Sequence, residues 1–192
     1  MKVTPISHGL DLLASDLERS PGIHASSIYG DLFKKLEPGR YGRYEDNESG
    51  ELYRALGTAW EKHFEYLLSK SGVMAVRPGE FVSPGGWALS PDLLLFNGHD
   101  RIGEIKLTWM SSKGLPTSST SCLPPKFDKY MVQIMDGCHA VETSHAILFI
   151  CFVNGNYKPP KPELLAFDLE FTSRELRENF DMMSSHRRSM GL

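Results

Sequence analysis

Two carboxylates and a lysine stand close together near the middle of the chain. Pro91-Asp92 and Glu104-Ile105-Lys106 lie in SPDLLLFNGHDRIGEIKLTW, which reads as two strands joined by a turn at Asn97-Gly98. Ionised carboxylates offer only acceptor oxygens. Oxygen donors suit a hard octahedral cation such as Mg²⁺, with Mn²⁺ able to take its place. Asp92 and Glu104 are therefore candidate metal ligands. Lys106 shares a strand face with Glu104, because side chains alternate with a period of two. From there it can orient or help deprotonate an attacking water, or hold a phosphate. The chemistry this set suits is hydrolysis of a phosphodiester.

Geometry sets a condition on that reading. With a plain two-residue turn at Asn97-Gly98, Phe96 opposes His99, so Asp92 opposes Gly103 and points away from Glu104. A shared site requires an odd-length loop or a β-bulge. Carboxylates on opposite faces would rule it out.

Charge around the motif favours a polyanion. Lys106, Lys113, Lys126 and Lys129 are opposed only by Asp128 between residues 106 and 133, although the whole chain carries a formal net charge of −3. Lys113, Lys126 and Lys129 are candidate phosphate contacts, because a cleft needs positive charge only where phosphates pass; a solvated lysine-bearing loop is the alternative. Trp109 follows the motif strand and can stack on a base or pack in the core.

These residues also carry a resemblance. Pro91-Asp92…Glu104-Ile105-Lys106 resembles the signature of the PD-(D/E)xK nuclease superfamily. Gly57-Thr58-Ala59-Trp60-Glu61 upstream and Tyr130-Met131-Val132-Gln133 downstream fall in the order of its exonuclease branch, the lambda exonuclease and RecB-like enzymes. Size and layout are most similar to a phage-encoded member. The resemblance implies that Glu61 is a helix-borne acid at the metal, and that the Ile105 backbone carbonyl is a further metal ligand. It implies that Gln133 is the glutamine of a QxxxY motif, bonding a catalytic carboxylate or the scissile phosphate. Position 137 is Gly where that motif has Tyr, and Tyr130, one turn earlier, takes part of that space as a DNA-contacting candidate. The resemblance further implies a restriction-endonuclease-like α/β core, a central mixed sheet flanked by helices. DNA is the implied partner, as duplex ends or single strands; a homo-oligomer and a recombination partner protein are open to it.

The elements that must hold these residues are legible from period and punctuation. Ser26–Leu36 reads as a helix with Ile28, Leu32, Phe33 and Leu36 on one face, stopped by Pro38-Gly39. Residues 40–50 read as a loop. Glu51–Lys70 is a long helix carrying Leu52, Leu56, Ala59, Trp60, Phe64, Leu67 and Leu68, with Gly72 as its stop. Gly57 inside it costs about 1 kcal/mol relative to Ala, which close approach of a backbone or of DNA explains, as does packing. Strands are expected at 80–83, 87–96, 101–109, 145–153 and 164–171. Residues 110–125 form a long Ser/Thr/Pro-rich loop, and Lys126–Val141 a helix. Thr172-Ser173-Arg174-Glu175 is a capping box opening a last helix to about Met190.

At 192 residues, 41% hydrophobic and 23% charged, the chain reads as a single globular domain over 1–192. Residues 1–50 form a helical extension, 51–153 the motif-bearing core, and 154–192 a closing strand and helix. The opening MKVTPISHGLDLLASDLERS has charges inside its apolar stretch, so it is neither a signal peptide nor a membrane span. Cys122, Cys138 and Cys151 are too few and too scattered for a disulfide framework or a four-cysteine iron–sulfur cluster. They read as packing residues in a reducing cytoplasm, that of the host for a phage protein.

The reading is a metal-dependent deoxyribonuclease, foremost an exonuclease processing linear DNA ends in phage recombination or replication. The alternatives are a structure- or sequence-specific endonuclease, and a catalytically silent DNA-binding or assembly protein on the same fold.

Overall fold

The computed structural model describes residues 20–41, 48–96, 100–117 and 122–192. Helices α1 (Ala25–Leu36), α2 (Pro38–Tyr41) and α3 (Glu48–Lys70) come first. Strands β1 (Ala75–Val76), β2 (Phe81–Val82), β3 (Ala88–Leu89), β4 (Leu93–Phe96) and β5 (Asp100–Thr108) follow. A 3-10 turn at Pro125–Phe127 leads into α4 (Asp128–Ala140), then β6 (His145–Phe152), β7 (Glu163–Glu170) and α5 (Ser173–Ser189).

Five strands form one sheet in the order β1-β4-β5-β6-β7. Its neighbours are antiparallel except β5 and β6, which run parallel from Ile102↔Ala146 to Thr108↔Phe152. A parallel pair needs a crossover connection, and α4 lies within it. Strand alternation divides the side chains between two helical layers. Ile102, Ala146, Leu148, Ile150 and Phe152 are buried with Ile134 and Cys138 of α4. Leu93, Leu95 and Ile105 are buried on the other side with Phe64 of α3, with Ile147 and Phe149 packed against them. The fold is α/β: a central mixed sheet flanked by helices.

The third core cluster joins α1 to the C-terminal helix. Ile28, Tyr29 and Phe33 pack with Trp87, Leu89, Val132 of α4 and Met183 of α5. A buried polar bond reinforces it: the Trp87 indole N–H donates to Asp136 Oδ2 at 2.9 Å. Helix α5 starts at the expected capping box, with Thr172 Oγ1 accepting from the Glu175 N–H and the Glu175 carboxylate accepting from the Thr172 N–H. Cys138 and Cys151 are buried, and burial raises the Cys138 thiol to about 12. No helix among the described residues is long and apolar enough to cross a membrane.

Several elements differ from the sequence expectation. The strand expected over 87–96 is two: β3 pairs with β2 in a separate hairpin, and β4 pairs with β1 and β5. Pro91 has no N–H for a ladder and restricts Ser90, so the break falls there. Strand β1 has two residues, too few to display any period. Helix α2 occupies residues read as the start of a loop, and α3 begins at Glu48, three residues early. On α3, Phe64 is buried while Leu52, Leu56 and Leu67 are exposed, so its apolar pattern is wider than its contact. Gly57 has open space around its Cα, so close packing does not account for it. Residues 1–19, the 42–47 part of the expected loop, the Asn97-Gly98 turn and the 118–121 part of the long loop lie outside the described residues.

The packing gives a measurable contrast. Ile134→Ala, at a site with no exposure, should lower the unfolding free energy in urea by about 2–5 kcal/mol. Thr172→Ala, which removes only a cap, should cost about 1 kcal/mol. Equal losses would contradict the assignment of Ile134 to the core.

Candidate metal and phosphate site

The register of β4 on β5 meets the condition set by the two carboxylates. Phe96 pairs with Asp100 and Leu93 with Gly103, which leaves three residues in the connection, an odd number. Continued by one residue, the register sets Asp92 opposite Glu104. Asp92 Oδ2 accepts the Ile105 N–H at 2.7 Å, so the side chain closes the ladder where Pro91 ends it. In an extended residue the N–H and C=O project to the same strand edge. The Ile105 carbonyl therefore faces the Asp92 side of β5, as a metal-ligating carbonyl needs to.

Five of the expected residues line one cavity of about 540 Å³: Glu61 from α3, Asp92 after the β3–β4 break, Glu104 and Lys106 from β5, and Gln133 from α4. Strand β4 stops at Leu93↔Gly103, so beyond that point one edge of β5 carries no strand among the described residues. The site occupies that opening. Glu104 Oε1 accepts hydrogen bonds from both Lys106 Nζ and Gln133 Nε2. Lys106 Nζ also stands 3.9 Å from Asp92 Oδ2. The α4 amide thus orients the β5 carboxylate, and the lysine bridges both acids. As the side chains lie, no three His, Cys, Asp or Glu among the described residues are grouped tightly enough to hold a metal ion; the ammonium of Lys106 supplies the countercharge.

The electrostatics follow from burial of several acids around one base. Burial first, and then the negative charge of Asp92, raises Glu104 to about 8 despite Lys106. The same two causes raise Glu61 to about 7, against the pull of Lys106 and Arg77. Burial acts to lower the Lys106 ammonium, but the charges of Glu104 and Asp92 outweigh it together and hold it well above the usual lysine range. Lys106 is therefore a cationic donor.

The residues expected to contact DNA do not line this cavity; Tyr130 and Lys129 stand beside residues that do. Lys106 Nζ lies 5.7 Å from the centre of the Tyr130 ring. Lys129 Nζ lies over the rings of Tyr29, at 5.6 Å, and Tyr41, at 5.3 Å, and burial lowers it. Lys126 Nζ donates to the carbonyls of Ser111 at 2.5 Å and Lys113 at 3.3 Å, which makes it a tie for the loop after β5. Lys113 is exposed in that loop. Trp109 packs edge-on against Tyr53 of α3, ring centres 4.7 Å apart.

Sequence reasoning missed other residues at the cavity: His24, Ser26, Tyr29, Arg77, Glu80 and Asp136. Arg77 stands 3.8 Å from Glu61 and 3.4 Å from Glu65. Asp136 is 1% exposed, and burial raises it to about 6 while the Trp87 N–H opposes the rise. One signal was available: Asp136 falls four residues after Val132, on the buried face of an amphipathic helix.

The shifts predict how stability varies with pH. Glu61, Glu104 and Asp136 bind protons more tightly folded than unfolded, so what they contribute to stability is complete below their ordinary values of 4.5 and 3.8 and is lost as pH rises through about 6 to 8. Lys106 stays protonated in both states over that interval. The melting temperature in EDTA should fall from pH 5 to pH 8, and Glu104→Gln should flatten the fall. Circular dichroism melts across that range check it; a wild-type slope unchanged by Glu104→Gln would contradict the charge balance.

No family model matches the chain, and no curated protein matches it. Solved structures do. It superposes on the crystal structure of an alkaline exonuclease, LHK-Exo, from Laribacter hongkongensis with a TM-score of 0.53, at 15% identity, over 88% of this chain and 87% of that one. The structure of LHK-Exo in complex with dAMP gives 0.52 at 14% identity, over the same shares. The chain thus has the fold of these exonuclease structures, a central mixed sheet flanked by helices.

Proposed function

We propose that this protein is a Mg²⁺-dependent DNA nuclease of the PD-(D/E)xK kind, acting as an exonuclease on linear DNA ends in phage recombination or replication. The observation that carries the reading is the meeting of Asp92, Glu104 and Lys106 with Glu61 and Gln133 in one cavity, at an edge of β5 left open by β4. The fold shared with an exonuclease supports it, and so does the capture of dAMP by that enzyme.

The donors fit a hard divalent cation in kind: Glu61, Asp92 and Glu104 with the Ile105 carbonyl, all oxygen. Bound there, Mg²⁺ would supply a Lewis acid for the phosphoryl oxygens and favour ionisation of an attacking water. Its charge also offsets what raises Glu61 and Glu104. The chain's own groups do the rest. Lys106, held as the ammonium, donates to the scissile phosphate or orients the water. Gln133 fixes the rotamer of Glu104 through its amide. In the reaction the water gives up a proton to solvent as its oxygen bonds to phosphorus, the phosphorus–oxygen bond to the leaving nucleotide breaks, and the leaving oxygen takes up a proton from solvent.

One observation favours a second reading, DNA binding without turnover: Glu104 already carries Lys106 and Gln133 on a single oxygen. Cleavage decides between the two. End-labelled linear duplex and closed circular plasmid are each incubated with Mg²⁺, with Mn²⁺ and with EDTA. The expected result is metal-dependent loss of the linear DNA alone, reduced by about 10²–10³-fold or more in Lys106→Ala. Gln133→Ala, which only frees Glu104, should cost about tenfold. Cuts in the circle would move the assignment to an endonuclease. An unchanged pair of substrates with either metal would sink the catalytic reading.

A further inference from the structure

The open edge of β5 does not end at the cavity. From Glu104 to Thr108, the end of the strand, it has no partner strand on the β4 side among the described residues, and it lies between α3 and α4. Helix α3 lies alongside: its Phe64 packs on Leu93, Leu95 and Ile105, and its Tyr53 on Trp109. Two independent measures place Tyr53 and Trp109 at the far end of this groove. Glu61 to Tyr53 is eight helical residues, ~12 Å. Glu104 to Trp109 is five strand residues, ~16 Å. At ~3.4 Å per stacked nucleotide these are about 3.5 and about 4.7 nucleotides, so about four on average.

Three aromatic residues meet there. The Tyr53 and Trp109 rings contact at 62° between planes. Tyr157 donates its hydroxyl to the Trp109 carbonyl. Tyr53 is 48% and Tyr157 43% exposed. Tyr157 holds its position through a left-handed backbone, φ 66°, which a bulky side chain seldom adopts. The two loops that frame the cluster are joined by the Ser112 N–H donating to the Gly155 carbonyl at 3.0 Å. Their cations are Lys113, Lys158 and Lys161, and Glu163 stands beside them with its carboxylate accepting from Ser112 Oγ at 2.6 Å. Two exposed tyrosines beside a half-buried Trp109, with cations nearby, are the combination that binds unpaired nucleic acid, by stacking on bases and attraction of phosphates.

We infer that Tyr53, Trp109 and Tyr157 form a stacking platform for single-stranded DNA, holding the tract about four nucleotides from the acidic cluster, with Lys113, Lys158 and Lys161 along its phosphates. The inference rests on the nuclease reading for its choice of DNA, and it adds a binding site outside the cavity. A duplex buries its base faces in its own stack, so the platform selects strands already unpaired.

Binding is measured in EDTA, where no turnover occurs, with the full chain and fluorescein-labelled (dT)12, an abasic 12-mer with the same phosphates, and (rU)12. Tyr53→Ala and Tyr157→Ala should each weaken (dT)12 binding by about tenfold, the size of one lost stack, and leave the abasic strand unchanged. Tyr53→Phe, which keeps the ring, should bind as wild type does. Equal losses on the two DNA strands, or no loss on either, would overturn the platform, and equal affinity for (rU)12 would overturn the choice of DNA. The two readings fail separately. Ring-dependent binding by a protein that cuts nothing with Mg²⁺ or Mn²⁺ sinks the nuclease alone, whereas full cleavage with ring-independent binding sinks the platform alone.

Discussion

The 2.7 Å hydrogen bond from the Ile105 N–H to Asp92 Oδ2 is the contact on which the arrangement depends. Pro91 has no N–H to offer the Ile105 carbonyl, the β4 ladder ends at Leu93, and the Asp92 side chain accepts the Ile105 N–H in place of a backbone carbonyl. That substitution ends β4 without leaving the Ile105 N–H unsatisfied in a buried position, which would cost about 1–3 kcal/mol. It holds one carboxylate on the second, and it leaves the rest of that β5 edge uncovered. The acid pair and the groove are two results of one interrupted strand.

The site is held by opposed helical layers rather than by its own attractions. Like charges brought into a dry interior repel, and burial penalises each of them. Lys106 offsets part of that. The remainder is borne by the apolar contacts on both faces of β5: Ile102 with Ile134 and Cys138 on one, Ile105 with Phe64 on the other. Glu104 therefore stands on a strand packed on both faces, which fixes its separation from Asp92 and Glu61 against the repulsion.

Much of this was legible in the residues, because strand alternation is strict. The pair Glu104 and Lys106 could be put on one face from spacing alone, and the demand for an odd-length turn was a definite geometric condition that the pairing of Phe96 with Asp100 meets. Helices with strong apolar faces, α1, α4 and α5, were found within a few residues. What escaped lacks local signal. Strand β1 is two residues long, and the split of 87–96 depends on which partners β3 and β4 find far away in sequence. Arg77, His24 and Glu80 reach the cavity only through tertiary packing. Lys126 could be read as a charge, but not as one committed to the carbonyls of Ser111 and Lys113. The α3 pattern misled by excess, since half its apolar residues face outward.

The parallel pairing of β5 with β6 has a consequence for how the molecule assembles. A hairpin that closes over three residues brings its strands together at little entropic cost. A parallel neighbour must wait for the whole connection between Thr108 and His145 to fold back. Contacts between nearby residues form before those between distant ones. Loop-closure entropy therefore favours pairing of Asp92 and Glu104 before the crossover closes, in water, where their repulsion is weak. Helix α4 then arrives with Gln133 and seals them in a drier setting. Late closure of that crossover is what turns a tolerable surface feature into a charged interior.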